Sequence, residues 1–484
     1  MLISILIVLG CFIGVVILII TGKLNRAITS LSGAVIVYFV LIYLEGNNFN
    51  VILDLLFGSE SEGFVNLHSL ILIIGMMFIV EISKEAGLFQ FMALNLIKLS
   101  KGKPVYLMSI FCLITILISA ILNNILTVII LIPLTITVSR ILNVNPSPYI
   151  LTQAILVNIG GTFFTISSIP NILISTSAEI SFVSFFLNVG TVSLVIFVFT
   201  LIFFIFIFKK SLQFPQEGIK ILMEFNVWNF VPDKKLLAKS LLVLITLFVL
   251  FIIIPTSLIS TDIIALLMAV ILIIISRLDP KQIISKIDLE LIFYLLGIFV
   301  IAGALDILGV VQILGESMAL ISGGSVFFQI LIILWFSAFL SSAIDNIPIT
   351  KVLIPVIGTI ADKFSVFPAS VREQFYYSLA IGANWGDNLT PMGDNILVVQ
   401  LAETNKRPIS FRQFFKIGFI TTLYQIILVS IYYTLIFELP SGILIVLTIL
   451  FSLILIYLLN KLGPKKVRNG IGKVINRFRR IFNE

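Results

Sequence analysis

Apolar runs of roughly 20 residues, each long enough to cross a hydrocarbon core about 30 Å thick as a helix, follow one another along nearly the whole chain. In the first half they lie at Leu2–Ile20, in a second run ending before Glu45, and at His68–Ile82, Ile150–Thr176 and Phe185–Phe208. In the second half they lie near Leu236–Ile254, Asp262–Ser276, Leu289–Ala304, Tyr377–Ala402, Ile417–Phe437 and Ile443–Leu459. Leu2–Ile20 lacks a basic leader and a small-residue cleavage site, so it reads as a helix and not as a signal peptide. After the third run of each half the pattern changes. An amphipathic stretch, Gly87–Leu99, and a weaker apolar one, Leu305–Gly323, precede paired limbs, Val105–Ile121 with Ile125–Val138 and Ser325–Leu340 with Val352–Ile360. Each pair is split by a polar tip.

The two tips repeat one another. Asn123-Asn124-Ile-Leu-Thr127 and Asp345-Asn346-Ile-Pro-Ile-Thr350 each run into Leu-Ile-Pro at the same offset, 222 residues apart (345 − 123). Each pair of limbs reads as a re-entrant hairpin. A second polar interruption follows each hairpin: Asn158 to Asn171 with Gly160, Gly161 and Pro170 in it, and Gly382 to Asn395 with Gly386, Pro391 and Gly393 in it. Gly and Pro break a helix, and Asn, Asp, Ser and Thr refill the gap with ligands. The expectation is an all-α polytopic membrane protein of two repeats, each with a hairpin and a broken helix, and about eleven full crossings. Residues 1–208 form the first repeat, 209–235 a cytoplasmic linker, 236–437 the second repeat, and 438–484 a final helix with a basic cytoplasmic tail.

Loop charge sets the orientation. Lys23 and Arg26 follow the first run, whereas Glu45–Asn66 carries carboxylates and no Lys or Arg. By the positive-inside rule the N-terminus lies outside and the C-terminus in the cytoplasm of a multi-pass cell-membrane protein. Lys84, Lys98, Lys101, Lys103 and Arg140 then fall inside, as do Arg277, Lys281 and Lys286, with Lys363 and Arg372 as outer exceptions. An odd number of crossings in the first half inverts the second repeat, the arrangement expected for alternating access.

Composition excludes other classes. With 59% hydrophobic and 11% charged residues and a mean hydropathy of +1.19, no soluble domain of any size fits. Two cysteines and one histidine leave no disulfide framework and no zinc or haem site. The formal charge of +7 sits in short loops and the tail, which suits anionic membrane lipids and not nucleic acid. No P-loop pattern is present for direct ATP drive, and no nucleophile with a base or metal cluster suggests an enzyme.

The candidate binding residues follow from the four interruptions, where freed backbone groups in mid-membrane need polar partners. At the tips these are Asn123, Asn124 and Thr127, and Asp345, Asn346 and Thr350. In the first break they are Gly161, Thr162, Thr165, Ser167, Pro170 and Asn171. In the second they are Asn384, Asp387, Asn388, Thr390, Asp394 and Asn395. Half-helix N-termini favour an anion, and carbonyl ends with carboxylates favour Na⁺ or H⁺. A Na⁺ ion is expected near Asn124, Asp345, Asn346 and Asp387, with no cofactor. Lys351 is a candidate partner for Asp345 or Asp387. His68 reads as interfacial, Trp385 as packing or gate, and Glu81 and Glu85 as solvated partners of Lys84.

Ile71–Lys103 with its Gly-Met-Met and Glu-Ala-Gly-Leu-Phe, together with Leu117–Thr127, Asn158–Thr162, Pro170-Asn171 and Asp345–Pro348, resembles the ion transporter superfamily. Within it the look is that of the arsenite permease, P protein and sodium–proton antiporter D group, which share a citrate-transporter-like domain. The resemblance implies a scaffold domain, a transport domain holding both hairpins and both broken helices, and often a homodimer working by an elevator motion. The chain departs from that pattern at three places. Asn123 stands where permease-like members often have Asp, Ser168-Ile169 where an Asp-Pro is common, and Asp387 and Asp394 where many have small neutral residues.

The expected activity is secondary active transport, by symport or antiport with Na⁺ or H⁺, of a small inorganic oxyanion such as arsenite or of another small anion. Na⁺/H⁺ antiport is the alternative within that class and a passive ion channel the alternative outside it. Dicarboxylates rank lower, because neither tip carries Ser-Asn-Thr. The orientation is directly testable. A membrane-impermeant maleimide should label a Glu60→Cys variant on intact cells and a Lys235→Cys variant only after permeabilisation, and the opposite pattern would reverse the topology.

Overall fold

In a computed structural model the described residues are 1–22, 24–101, 103–209, 211–212, 218–224, 226–391, 395–405, 408–462, 470 and 472–478. These residues form helices and no strands, as a bilayer requires of a chain that must satisfy its backbone internally. Among the described residues nine helices are long and apolar enough to cross a membrane. Two of them, Asn124–Ile141 and Val326–Ala343, are hairpin limbs. The other seven, the shorter Thr261–Ser276, the final Leu439–Leu462 and the two broken helices bring the candidate crossings to eleven.

The internal repeat extends well beyond the tips. Gly87 and Gly309, also 222 apart, both take left-handed φ, +74° and +78°, where a Cβ would be strained. Each starts an amphipathic arm, Leu88–Leu99 and Val310–Ile321. The hairpins follow, Pro104–Ser119 with Asn124–Ile141 and Val326–Ala343 with Asn346–Lys363. Next come the broken helices, Ser147–Gly160 with Ile169–Ser177 and Ala369–Gly386 with Asn395–Thr404.

The repeats interlock by reciprocal pairs. Arg26–Phe39 packs along Leu289–Ile307, and Val65–Glu85 packs along Thr261–Ser276. The second span of each repeat thus meets the third span of the other, which is what a two-fold relation demands. Small residues permit the close approach: a methyl at Gly297 would fall 2.5 Å from the Ser30 backbone, and one at Gly75 would fall 3.0 Å from that of Ala265.

Each hairpin packs against the first half of its own broken helix, again in register. Gly160 lies against Ile116 and Ser119, and Gly386 lies against Ala338, the residue equivalent to Ile116. Ser119 donates to the Val157 carbonyl (2.6 Å), and Ser341, its equivalent, donates to that of Ala383 (2.5 Å).

Three regions differ from expectation. The linker is not merely a polar loop: it forms helical turns at Ile219–Glu224 and Val227–Phe230. These dock on the first arm, with Trp228 4.6 Å from Phe91 and the Met223 carbonyl accepting from Lys98 (3.1 Å). The second repeat starts with Lys234–Ile253, because the Asp233 carboxylate accepts from the Lys235 and Leu236 N–H groups and caps that helix. The acidic loop holds a short helix, Asn50–Phe57.

The contact of Gly386 with Ala338 gives a stability prediction. Gly386→Ala should lower the thermal midpoint of the purified protein, overpacking costing roughly 1–3 kcal/mol. Gly14→Ala, where an added methyl meets nothing within 4 Å, should leave the midpoint nearly unchanged.

Candidate functional site

The two tips and the first break meet at one cavity of about 120 Å³, with Asn123, Asn124, Ser168, Pro170 and Asn346 among its lining residues. Among the helices that begin there are Asn124–Ile141, Ile169–Ser177 and Asn346–Lys363. Each points backbone N–H groups at its N-terminal end, and each has one side-chain cap. Asn123 accepts from the Leu126 N–H (2.9 Å), Ser168 from that of Asn171 (3.4 Å) and Asp345 from that of Ile347 (3.1 Å). One cap per helix leaves further first-turn N–H groups for a ligand.

The rim of the cavity is charged. Arg26, Lys84 and Lys286 stand there with Glu81 and Asp288, three cations against two carboxylates. Arg26 binds Asp288 (3.0 Å), Lys84 binds Glu81 (2.9 Å), and Lys286 binds Glu85 (2.6 Å). That hydrogen bond to Glu85 raises the pKa of the Lys286 ammonium above its ordinary value, so the cation persists through physiological pH. Glu81, expected to be solvated, is buried, its helix packing on Ile169–Ser177 of the first break and on Pro280–Ile284.

Behind the cavity an amide chain joins the two halves. Asn124 donates to Asn158 (2.5 Å), and Asn158 donates to Asn388 (2.7 Å) and, more weakly, to Asp387 (3.4 Å). Asn395 donates to the Asp387 carbonyl (3.0 Å) and carboxylate (3.2 Å). Asn171 makes the equivalent bond in the first break, to the Gly161 carbonyl (2.7 Å), so each gap is closed by an asparagine on the carbonyl end opposite. Asn384 donates to Asn171 (2.8 Å), while its own amide oxygen is buried without a partner. Gly161 leaves room for Asn124, whose amide oxygen would lie 2.9 Å from an added methyl.

Other candidates take local roles. Thr127 donates back to the Asn123 carbonyl, whereas the Thr350 hydroxyl is buried and unpartnered. Thr162 donates to the Ile159 carbonyl and accepts from the buried Trp385 indole (3.1 Å), so Trp385 is packed between the two breaks. Ser167 ties the break to the first hairpin through the Ala120 carbonyl, and Thr390 ties the second break to Ser342. Thr165 is not brought to the tips. It lines a separate pocket with His68 and Asp262, where His68, expected to be merely interfacial, lies 2.9 Å from the buried Asp262 carboxylate. Asp345 receives the Tyr294 hydroxyl (3.3 Å), and the Lys351 ammonium donates to Asn66 (2.5 Å) and sits over the Phe299 ring. Asp394 lies outside the described residues. Among the described residues no group of three or more His, Cys, Asp or Glu is placed to hold a metal ion.

Arg26, Lys84, Lys286 and Tyr294 reach the site without having been singled out for it. The three cations served only to orient the loops, yet each lies within a turn or two of a span end that borders a tip. For Tyr294 no spacing rule points to Asp345. Ser119 and Ser341 share the 222-residue spacing of the tips, a signal that was there to be found.

The chain is 29% identical over 417 residues to the 46 kDa membrane protein of Mycobacterium leprae, covering 86% of this chain and 95% of that one. It is equally identical over 423 residues to an uncharacterized transporter of Mycobacterium tuberculosis, covering 87% of this chain and 96% of that one. To the human P protein it is 26% identical over 436 residues, 74% of this chain and 52% of the P protein. The family model described as citrate transporter matches residues 16–366 and 248–474. With nearly its whole length matched, the chain belongs to the citrate transporter family, within the ion transporter superfamily, and is a multi-pass membrane protein of a transporter family.

Proposed function

We propose that this protein is a secondary active transporter that moves a small anion, bound between the two hairpin tips, in step with Na⁺ or H⁺. The observation that carries this reading is the convergence of helix N-termini on one cavity whose rim holds the ion-paired cations Arg26, Lys84 and Lys286. Fixed N–H dipoles and cations favour a carboxylate or inorganic oxyanion. The same chemistry gains less from arsenous acid, which is neutral at physiological pH. Citrate, named in the family description, therefore ranks above arsenite as the first probe.

The coupling cation has suitable oxygens nearby. The carbonyl ends at the breaks, the Asp345 and Asp387 carboxylates, and the orphaned oxygens of Asn384 and Thr350 are acceptors that a dehydrated Na⁺ can use. Those residues would hold the ion, whose charge would offset buried carboxylates. An elevator movement is supported by the way both hairpins and both broken helices are hydrogen-bonded to each other, while the interlocked pairs of spans pack on them largely through apolar side chains. The proposed orientation, from the loop charges, has the tip cavity opening to the cytoplasm beside Lys84 and Lys286.

Flux in proteoliposomes tests the reading. Uptake of labelled citrate, or of whichever of phosphate, sulfate or arsenite competes with it, should saturate and should require an imposed Na⁺ or pH gradient. Current that neither saturates nor depends on a second ion would mark a channel. Asn158→Ala would strand buried amide groups of Asn124 and Asn388, at about 1–3 kcal/mol each, and uptake should fall at least about tenfold. Lys84→Gln and Lys286→Gln should each raise the KM for the anion about two- to fivefold, a rim charge contributing at most about 1 kcal/mol, with the cation dependence unaltered.

A further inference from the structure

Three side chains near the start of Val65–Glu85 make contacts in three directions. Asn66 accepts from the Lys351 ammonium (2.5 Å), on the helix that follows the second tip, and donates to the Leu55 carbonyl (2.8 Å). The Ser69 hydroxyl shares a hydrogen bond (2.6 Å) with Thr176, in the second half of the first break. His68 meets the buried Asp262 carboxylate (2.9 Å), in the first turn of Thr261–Ser276. Three residues apart, Asn66 and Ser69 share one helix face, and His68 falls on another. The face that meets the second hairpin and the first break is thus backed by a bond to an interlocked span. Phe64 supplies no side-chain cap at this helix start, so the turn depends on these contacts.

The opposite end of the interlocked spans carries the inverse arrangement. Asp288 and Glu290 stand 222 residues after Asn66 and His68, and both bind Arg26. Arg26 opens Arg26–Phe39, much as Asp262 stands in the first turn of Thr261–Ser276. Each clamp therefore joins the second span of one repeat to the third span of the other, with the charges exchanged. The cations differ in kind. Arginine stays charged at any physiological pH, whereas histidine changes charge between about pH 5 and 8. The His68 side chain is 40% exposed and lines a cavity of about 340 Å³ with Thr165, Ser175 and Thr176 of the first break, so protons reach it. Besides Asp262, the charged groups at this end are Glu179, which lines the same cavity, Asp54 on Asn50–Phe57, and Lys351. Those of Lys234–Ile253, Leu88–Leu99 and Pro280–Ile284, which also pack on this span, lie at its other end, where Lys239 donates to the Ile275 carbonyl (2.6 Å).

We propose that the turn Asn66–Ser69 is a latch that holds the hairpins and breaks in the position seen here, with His68 as its positioning residue, and that protonation of His68 tightens the hold. The inference rests on the transport reading and its elevator movement, and adds a pH-dependent restraint to that movement. A neutral imidazole gives the Asp262 carboxylate a hydrogen bond alone. An imidazolium adds the attraction of opposite charges, which is strengthened where one partner is buried. The latch is therefore strongest in acid and slackens as His68 loses its proton, while the Arg26 clamp at the other end stays constant.

Exchange of labelled citrate across proteoliposomes of the full-length protein, at equal pH on both sides, has no gradient to drive it and so reads the movement itself. The rate for the parent, divided by that for His68→Gln at the same pH, cancels the titration of the substrate. That ratio should rise at least about threefold from about pH 5 to about pH 8, and should stay flat when Asp262→Asn takes the parent's place. Should His68→Gln fail to fold, Asp262→Asn serves as the reference for the parent instead. A Ser69→Cys, Thr176→Cys pair in a Cys11→Ser background, with Cys112 buried, should stop exchange when oxidised and release it when reduced. A merely structural His68 would slow the variant equally at every pH. That flat ratio for the parent, a rise that persists in Asp262→Asn, or a cysteine pair that does not form or still exchanges at full rate when oxidised, would each overturn the latch. A parent protein that exchanges none of citrate, phosphate, sulfate and arsenite would instead sink the transport reading on which the latch stands.

Discussion

A helix that stops inside a bilayer exposes N–H or C=O groups that lipid cannot satisfy, and this chain stops helices there four times, at two tips and two breaks. An unpaired buried backbone group costs on the order of several kcal/mol in hydrocarbon, so the four stops are tolerable only if they face one another. That requirement brings the hairpins against the broken helices. It also explains why asparagine recurs at Asn124, Asn158, Asn171, Asn384, Asn388 and Asn395, since an amide supplies both donor and acceptor. Asn171 on the Gly161 carbonyl and Asn395 on the Asp387 carbonyl are one solution used twice. The polar site is therefore a consequence of the interrupted helices and not an addition to them.

The repeat supplies shape twice, and the differences between its copies supply charge. Gly161 and Asp387 hold equivalent places after Asn158-Ile-Gly160 and Asn384-Trp-Gly386. In the first half that place is bare, and Asn124 occupies the space a side chain would need. In the second half it carries a buried carboxylate held by Asn158 and Asn395. The same contrast appears at the tips, where Asn123 and Asp345 are both N-caps. One neutral and one charged cap make the surroundings of the second hairpin more negative than those of the first. A two-fold fold with charge in one copy is the simplest way to place an anion-favouring and a cation-favouring region beside each other.

Much of this was legible in the sequence, because a bilayer narrows the choice of element to helices and makes each polar interruption conspicuous. The number of crossings, the two hairpins, the two breaks and the arms after Gly87 and Gly309 all follow from apolar length and Gly, Pro and Asn punctuation. The limits appear where position along the chain says nothing about depth in the bundle. Glu81 sits a turn from a basic loop yet is buried, and Lys351 follows a tip yet reaches Asn66, 285 residues earlier. Thr127 and Thr350 are equivalent in sequence, but the first bonds its own helix and the second is left without a partner. Such outcomes depend on neighbours from the other repeat, and no periodicity encodes those.

The distribution of hydrogen bonds bears on the proposed elevator movement. The bond of Asn124 to Asn158 joins the first hairpin to its break, and those of Asn158 to Asn388, Asn384 to Asn171 and Trp385 to Thr162 join one break to the other. A rigid shift of those elements as one unit leaves such bonds intact. Bonds that cross to the interlocked spans include Tyr294 to Asp345, Lys351 to Asn66 and Ser69 to Thr176. These would have to break and be replaced during a shift, and two of the three involve an ionisable group at or just past the second tip. Under the proposed coupling, a cation at Asp345 would draw on the carboxylate that holds the Tyr294 hydroxyl. Cation occupancy and release of the core from the scaffold would then be linked through one side chain, a physical route to coupling without a long-range relay.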